Sequence, residues 1–192
     1  MKTQNMLKSV LNVAIFAVLL FMASCDSDNT DSRDGKKYGA VKIGDQIWMS
    51  ENLNYEAEGS KCYNNDSANC QKFGRLYDFE TAKKACPKGW HLPSNDEWKI
   101  LVKLTGGRHL KAARGWSGAG NGRDMYGFSG LPGGYGFSDG YFLNSGYIGY
   151  WWTSTEDIGD YAFSRNLIYD DETAYYNDND KSNLYSVRCI KN

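Results

Sequence analysis

The chain has 192 residues, with 22 Lys+Arg against 23 Asp+Glu and a formal net charge of −1. That size suggests one domain plus a leader, and the near-balance of charge supplies no general field for nucleic acid or an anionic membrane. Aromatics at 15% and 21 Gly argue against disorder and for short strands joined by tight turns.

Residues 1–24 read as a secretory leader. Lys2 and Lys8 form a basic n-region, and Val10 to Met22 is apolar except for Asn12. A membrane-spanning helix needs about 20 apolar residues, so the run is too short to span and fits an h-region. It ends Met22-Ala23-Ser24-Cys25, which resembles a bacterial lipobox. The expectation is cleavage before Cys25 and lipidation of that Cys, making the membrane a partner through the lipid. The rival reading is an ordinary A-x-A-like cleavage site with an incidental Cys. Residues 25–37 lack large apolar side chains and carry four Asp, as a solvated tether would. The folded domain is expected over 38–192, on a protein exported to the bacterial envelope, at the outer membrane or cell surface.

Val41-Lys42-Ile43 and Ile47-Trp48-Met49 flank Gly44-Asp45-Gln46 and read as a hairpin. Cys62 and Cys70 bracket a polar, loop-like segment. Leu76 to Ala85 reads as a short helix stopped before Pro87. Ser94 and Glu97 form a capping box, followed by Trp98, Leu101, Val102 and Thr105 on one stripe, widened by Ile100 and Leu104, up to Gly106-Gly107. A Gly-rich stretch follows, in which Tyr126-Gly127-Phe128-Ser129 is echoed by Tyr135-Gly136-Phe137-Ser138. Strand-like runs then cover Tyr147 to Ser154, Tyr161 to Ile168, Thr173 to Tyr176 and Leu184 to Ile190, with Asn177 to Asn183 as a polar turn. Helices first and an antiparallel meander later make the fold class α+β. In Trp151-Trp152 the two rings face opposite sides of a strand, one toward the core and the other available to a surface.

Beyond Cys25, the cysteines Cys62, Cys70, Cys86 and Cys189 suit two disulfides in an exported domain, for which three connectivities exist. A local Cys62–Cys70 bridge is easy and leaves Cys86 with Cys189. Zinc is the rival, although the sequence has no C-x-x-C pair. Gly136-Phe137-Ser138-Asp139-Gly140 matches the hydrolase elbow G-x-S-x-G, but no His follows residue 109, so a glycine turn is expected. His91 reads as structural. Asn177-Asp178-Asn179-Asp180 and Glu156-Asp157 with Asp160 offer oxygen ligands to Ca²⁺ without the spacing of a known loop. No catalytic residue, metal ligand or cofactor is assigned. The ligand surface, if there is one, is expected on the loops between Gly115 and Tyr150, through Trp116, Tyr126, Tyr135, Tyr141 and Tyr147, whose broad faces and polar tips suit a glycan or protein ligand; the rival reading is that these aromatics fill a second small core beneath the loops.

Several segments together resemble a known family. They include Gly44-Asp45-Gln46-Ile47-Trp48-Met49-Ser50-Glu51-Asn52-Leu53, Phe73-Gly74-Arg75-Leu76-Tyr77, Cys86-Pro87-Lys88-Gly89-Trp90-His91-Leu92-Pro93-Ser94 and Ser186-Val187-Arg188-Cys189. The chain resembles the Fibrobacter succinogenes major paralogous domain, whose members are exported and often lipoproteins. The resemblance implies a C-type lectin-like domain with two short helices, small antiparallel sheets and long Gly/aromatic loops. It also implies a bridge from the end of the first helix to the last strand, in agreement with Cys86–Cys189. A non-catalytic binding or adhesion module is the function expected. Formylglycine-generating oxidoreductases share the fold type, but their activity needs a close pair of C-terminal cysteines, and here Cys189 stands alone. A purely structural envelope protein is the other alternative.

Overall fold

The computed structural model describes residues 29–192. The leader, Cys25 and its proposed cleavage site lie outside the described residues. The first hairpin forms where expected, with strands β1 (Ala40–Ile43) and β2 (Gln46–Met49). Gln46 belongs to the strand, so only Gly44 and Asp45 turn the chain. Gly44 has φ 59°, and a Cβ there would stand 2.7 Å from the Leu104 side chain. The positive φ is what favours glycine here, since the half-exposed Leu104 side chain could swing away from an added Cβ.

Four short α-helices form among the described residues, not two. Helix α1 (Ser67–Phe73) occupies part of the segment expected to be loop. Asp66 caps it, accepting from the Ala68 amide. Strand β3 (Leu76–Tyr77) takes the two residues expected to open the next helix, because they pair with a later strand. Helix α2 (Phe79–Ala85) then starts behind its own cap, Asp78. Strand β4 (Trp90–His91) leads into helix α3 (Asn95–Thr105), which has the expected capping box. Trp98 and Leu101 are fully buried, but Ile100 and Leu104 are each 52% exposed. The apolar stripe is thus narrower than the sequence suggests. Gly107 opens a further turn, α4 (Gly107–Leu110), because the backbone of residues 172–174 presses on it with no room for a Cβ.

After the glycine-rich stretch come β5 (Tyr135–Gly136), β6 (Phe142–Leu143), β7 (Ile148–Glu156), β8 (Tyr161–Ile168), β9 (Ala174–Asp180), β10 (Tyr185–Ser186) and β11 (Ile190–Lys191). They build sheets of order β1-β2-β11-β4 and β3-β10-β7-β8-β9, and the β5-β6 pair. All pairings of these strands are antiparallel except β10 with β7. The fold is α+β, with few helices and small antiparallel sheets. Asn177 to Asp180, expected as a turn, extend edge strand β9.

The five-stranded sheet separates two cores. Trp152 packs on one face with Tyr77, Phe79 and Tyr185, and Trp151 on the other with Trp48, Trp98 and Phe128. The expectation that one of these tryptophans reaches a surface is corrected, since both are fully buried. Each satisfies its indole N–H, Trp151 on Asn52 Oδ1 and Trp152 on the Tyr77 carbonyl, both at 2.8 Å. Cys62–Cys70 and Cys86–Cys189 are disulfides. Cys86 follows α2 and not the first helix, and Cys189 lies just before β11.

Residues 29–37 are not a free tether. Thr30 bridges to Lys37, and the Tyr38 amide donates to the Asn29 carbonyl. Asp31 is fully buried and accepts from Arg33, whose guanidinium also donates to the Ala85 carbonyl and lies 3.7 Å over the Tyr55 ring. Burial opposes the Asp31 charge, but the Arg33 hydrogen bonds outweigh it and hold the carboxyl below its ordinary range. Among the described residues no helix is long and apolar enough to cross a membrane.

Candidate functional site

The five candidate aromatics do not converge, and no ring contact joins any two of them. Trp116 is 5% exposed and its indole donates to the Gly130 carbonyl. It belongs to the second core, which removes it from a binding surface. Tyr135 is half-buried against Phe137, Tyr150 and Tyr185. Tyr126 is exposed beside His109, and Tyr147 is exposed against Tyr169. Tyr141 is the most exposed of the five, at 71%. It stands at the tip of the β5–β6 hairpin between Gly140 and Phe142.

Those two neighbours of Tyr141 line a cleft of about 800 Å³. One wall is the hairpin tip, with Phe137, Asp139 and Phe142. The echoed motif divides here: Phe128 of the first copy is core, while Phe137 of the second faces the cleft. The β9–β10 turn contributes Asp180, Lys181, Ser182 and Leu184, and Leu184 is bridged to Gly136 of the hairpin. Lys61, Asn65, Asp78 and Glu80 close the third side, and Asp160 comes from the β7–β8 turn. Five carboxylates therefore face two ammonium groups around an apolar patch of Phe137, Phe142 and Leu184.

Local chemistry fixes each wall. Ser138 to Gly140 make a tight turn in which the Gly140 amide donates to the Phe137 carbonyl and Gly140 has φ 93°. The G-x-S-x-G match is thus a hairpin turn, with neither histidine lining the cleft. The Tyr63 ring packs 5.5 Å from Phe142, so the Cys62–Cys70 segment props the hairpin. In the β9–β10 turn, Lys181 Nζ bonds Glu156 at 2.9 Å and the Gly159 carbonyl at 2.9 Å. Lys181 and then Lys83 hold the Glu156 carboxyl below its ordinary range. The Ser182 backbone N–H does the same for Asp180, which keeps the rim negatively charged.

Sequence reasoning missed Asp78 and Lys181, and it singled out Asp180 and Asp160 only as oxygen ligands for Ca²⁺ and not as part of a cleft. Their only signal was a polar turn beside an aromatic hairpin, and chain order keeps the three walls far apart. His91 is a structural link: Nε2 lies 2.9 Å from Glu97 and Nδ1 lies 2.7 Å from Asn192. The Asn177–Asp180 carboxamides serve the sheet, with Asn177 donating to Asn166 and Asn179 to Ser164. Among the described residues no group of three His, Cys, Asp or Glu side chains is placed to hold a metal ion. Cys189, the cysteine nearest the C-terminus, is disulfide-bonded.

The model of the family described as the Fibrobacter succinogenes major domain matches residues 41–191. No curated protein and no solved structure matches the chain.

Proposed function

This chain belongs to the Fibrobacter succinogenes major domain family, and we propose that it is a non-catalytic binding module of the bacterial cell envelope, carried on a lipid at Cys25. A single observation carries the reading: an open cleft of about 800 Å³ lined by both apolar and charged side chains, walled by turns that a disulfide and ion pairs hold in place. Concave sites of this size with a few polar groups are the usual form of ligand sites. Function on loops held by a rigid scaffold fits the two-core body beneath. We read the fold as C-type lectin-like, supported by the Cys86–Cys189 bridge from the end of α2 to the last strand segment. The ligand classes are glycan and protein, and Tyr141 at the hairpin tip is, of the five candidate aromatics, the one best placed to extend the cleft.

The test is a glycan and peptide array probed with the detergent-solubilised full chain, with and without Ca²⁺. Phe137→Ala should weaken binding of any hit by about thirtyfold, the scale of a 2 kcal/mol hot spot, while Trp116→Ala should act only through stability. An array without hits, or hits indifferent to Phe137→Ala, would remove the cleft as the binding site.

A further inference from the structure

The cleft between the β5–β6 hairpin and the β9–β10 turn carries a charge imbalance that narrows what it can hold. Its seven charged side chains fall into two groups. Glu80 and Lys181 are engaged in ion pairs, Glu80 with Lys83 and Lys181 with Glu156, which also takes Lys83. Two carboxylates and two ammonium groups make that cluster neutral as a unit. Asp78, Asp139, Asp160, Asp180 and Lys61 make no ion pair among the described residues. Four carboxylates against one ammonium group leave three uncompensated negative charges on one cleft. The whole chain has a formal net charge of only −1, so the excess is a property of this site.

Three of the four carboxylates are oriented by their own turns. Asp78 accepts from the Thr81 amide and hydroxyl, both at 2.9 Å. Asp139 accepts from the Tyr141 amide at 3.2 Å, and Asp180 from the Ser182 amide at 2.8 Å. An ionised carboxylate has about four acceptor sites, so these bonds fix direction and leave capacity for an outside donor. The carboxylates also stay apart, since among the described residues no three are placed to hold a metal ion. Spread anionic groups match several separate cationic groups better than one compact ion.

The apolar patch sets a second requirement. A Cβ on Gly136 would stand 2.8 Å from the Phe142 ring and 3.3 Å from Leu184 Cδ1, so those two side chains lie together over the glycine. Phe137 lines the same cleft. Lys and Arg meet both requirements in one side chain, with a stem that lies along apolar surface and a cationic head that reaches a carboxylate. Aromatic faces add attraction for the head. A neutral sugar has no charge to match, and an acidic one is repelled.

We propose that the cleft binds a basic peptide segment, with Lys or Arg stems over Phe137, Phe142 and Leu184 and their heads on Asp139, Asp160 and Asp180. The proposal rests on the cleft being the ligand site, and it selects a protein ligand over a glycan. A cleft lined by one sign of charge also concentrates an oppositely charged ligand before contact, an effect that salt screens.

The experiment pans a random octapeptide display library on the full chain in non-ionic detergent and measures the recovered peptides by calorimetry. Recovered sequences should be enriched in Lys and Arg beside an apolar residue. The double variant Asp139→Asn, Asp160→Asn keeps side-chain shape and the acceptor for the Tyr141 amide. It should weaken those peptides about tenfold at low salt, the upper scale for two exposed charge pairs. Phe137→Ala should weaken the same peptides about thirtyfold. Recovered sequences without basic enrichment, or basic peptides indifferent to the double variant, overturn the proposal. If such ligands still respond to Phe137→Ala, the cleft stands as the site and only its charge preference is wrong. Basic peptides that respond to the double variant and not to Phe137→Ala reveal general surface attraction and also overturn it. A chain that recovers no peptide and binds no glycan overturns both readings.

Discussion

Arg188 is a buried cation with no carboxylate in contact. Its guanidinium donates to Asn52 Oδ1 at 2.7 and 3.1 Å, to the Met49 carbonyl at 3.0 Å and to the Phe128 carbonyl, and it lies 4.3 Å over the Phe128 ring. Burial pushes it below its ordinary range. Asn52 also accepts from Trp151 and donates to the Phe73 carbonyl, so a single carboxamide ties three parts of the chain to Arg188. Lysine has three donors on one atom and cannot span these acceptors. Arg188→Lys should therefore cost roughly 3 kcal/mol, the scale of a broken buried charge contact, and lower the melting temperature by about 10 °C for a domain of this size. Glu97 gives a pH-dependent counterpart. Burial opposes its charge, but the Ser94 N–H, His91 and the Ser94 hydroxyl hold its carboxyl below the ordinary 4.5. A depressed folded pKa contributes stability that is present above pH 4.5 and lost as pH falls through the folded value. The melting-temperature gap between the native chain and Glu97→Gln should shrink below pH 4.5, and a gap that widens there would contradict this.

The two disulfides staple different kinds of element. Cys86–Cys189 has a sequence separation of 103 and joins the end of α2 to the approach to β11. Cys62–Cys70 has a separation of 8 and closes onto α1. The loop-entropy relation gives about 4.7 kcal/mol for the long loop and about 2.5 kcal/mol for the short one. Replacing Cys86 and Cys189 by Ser should lower the urea midpoint more than replacing Cys62 and Cys70. The short bridge has a second effect. It carries Tyr63 against Phe142, so its loss should loosen the β5–β6 hairpin and weaken cleft ligands more than its stability cost implies. Equal midpoints for the two double variants would show that loop length does not govern either bridge.

At the scale of the whole molecule, β7 commits both cores to one strand, because Trp151 and Trp152 point to opposite faces of the same sheet. The two cores should unfold together. Trp151→Ala and Trp152→Ala, each costing about 3–5 kcal/mol, should each lower one shared transition, seen at the same temperature by near- and far-ultraviolet circular dichroism. A second transition in either variant would mean separable halves. The sequence by itself determined what local chemistry and covalent bonding decide: the Gly44 turn, the Ser94–Glu97 capping box, the meander over residues 147–176, the family and both disulfide pairs. Each rests on neighbours in the chain or on cysteine parity and spacing. Tertiary structure alone decided the fate of side chains whose local surroundings look alike. Trp116 and Tyr141 each follow a glycine in the same glycine-rich stretch, yet one is core and the other is the most exposed candidate. Tertiary packing also turned the expected tether into a folded arm, through the remote Arg33 contacts with Tyr55 and Ala85. It assembled the cleft from Asp78, Phe137 and Lys181, which share no local pattern. Burial is set by what long-range strand pairing brings overhead, and that information lies in the whole chain and not in any window of it.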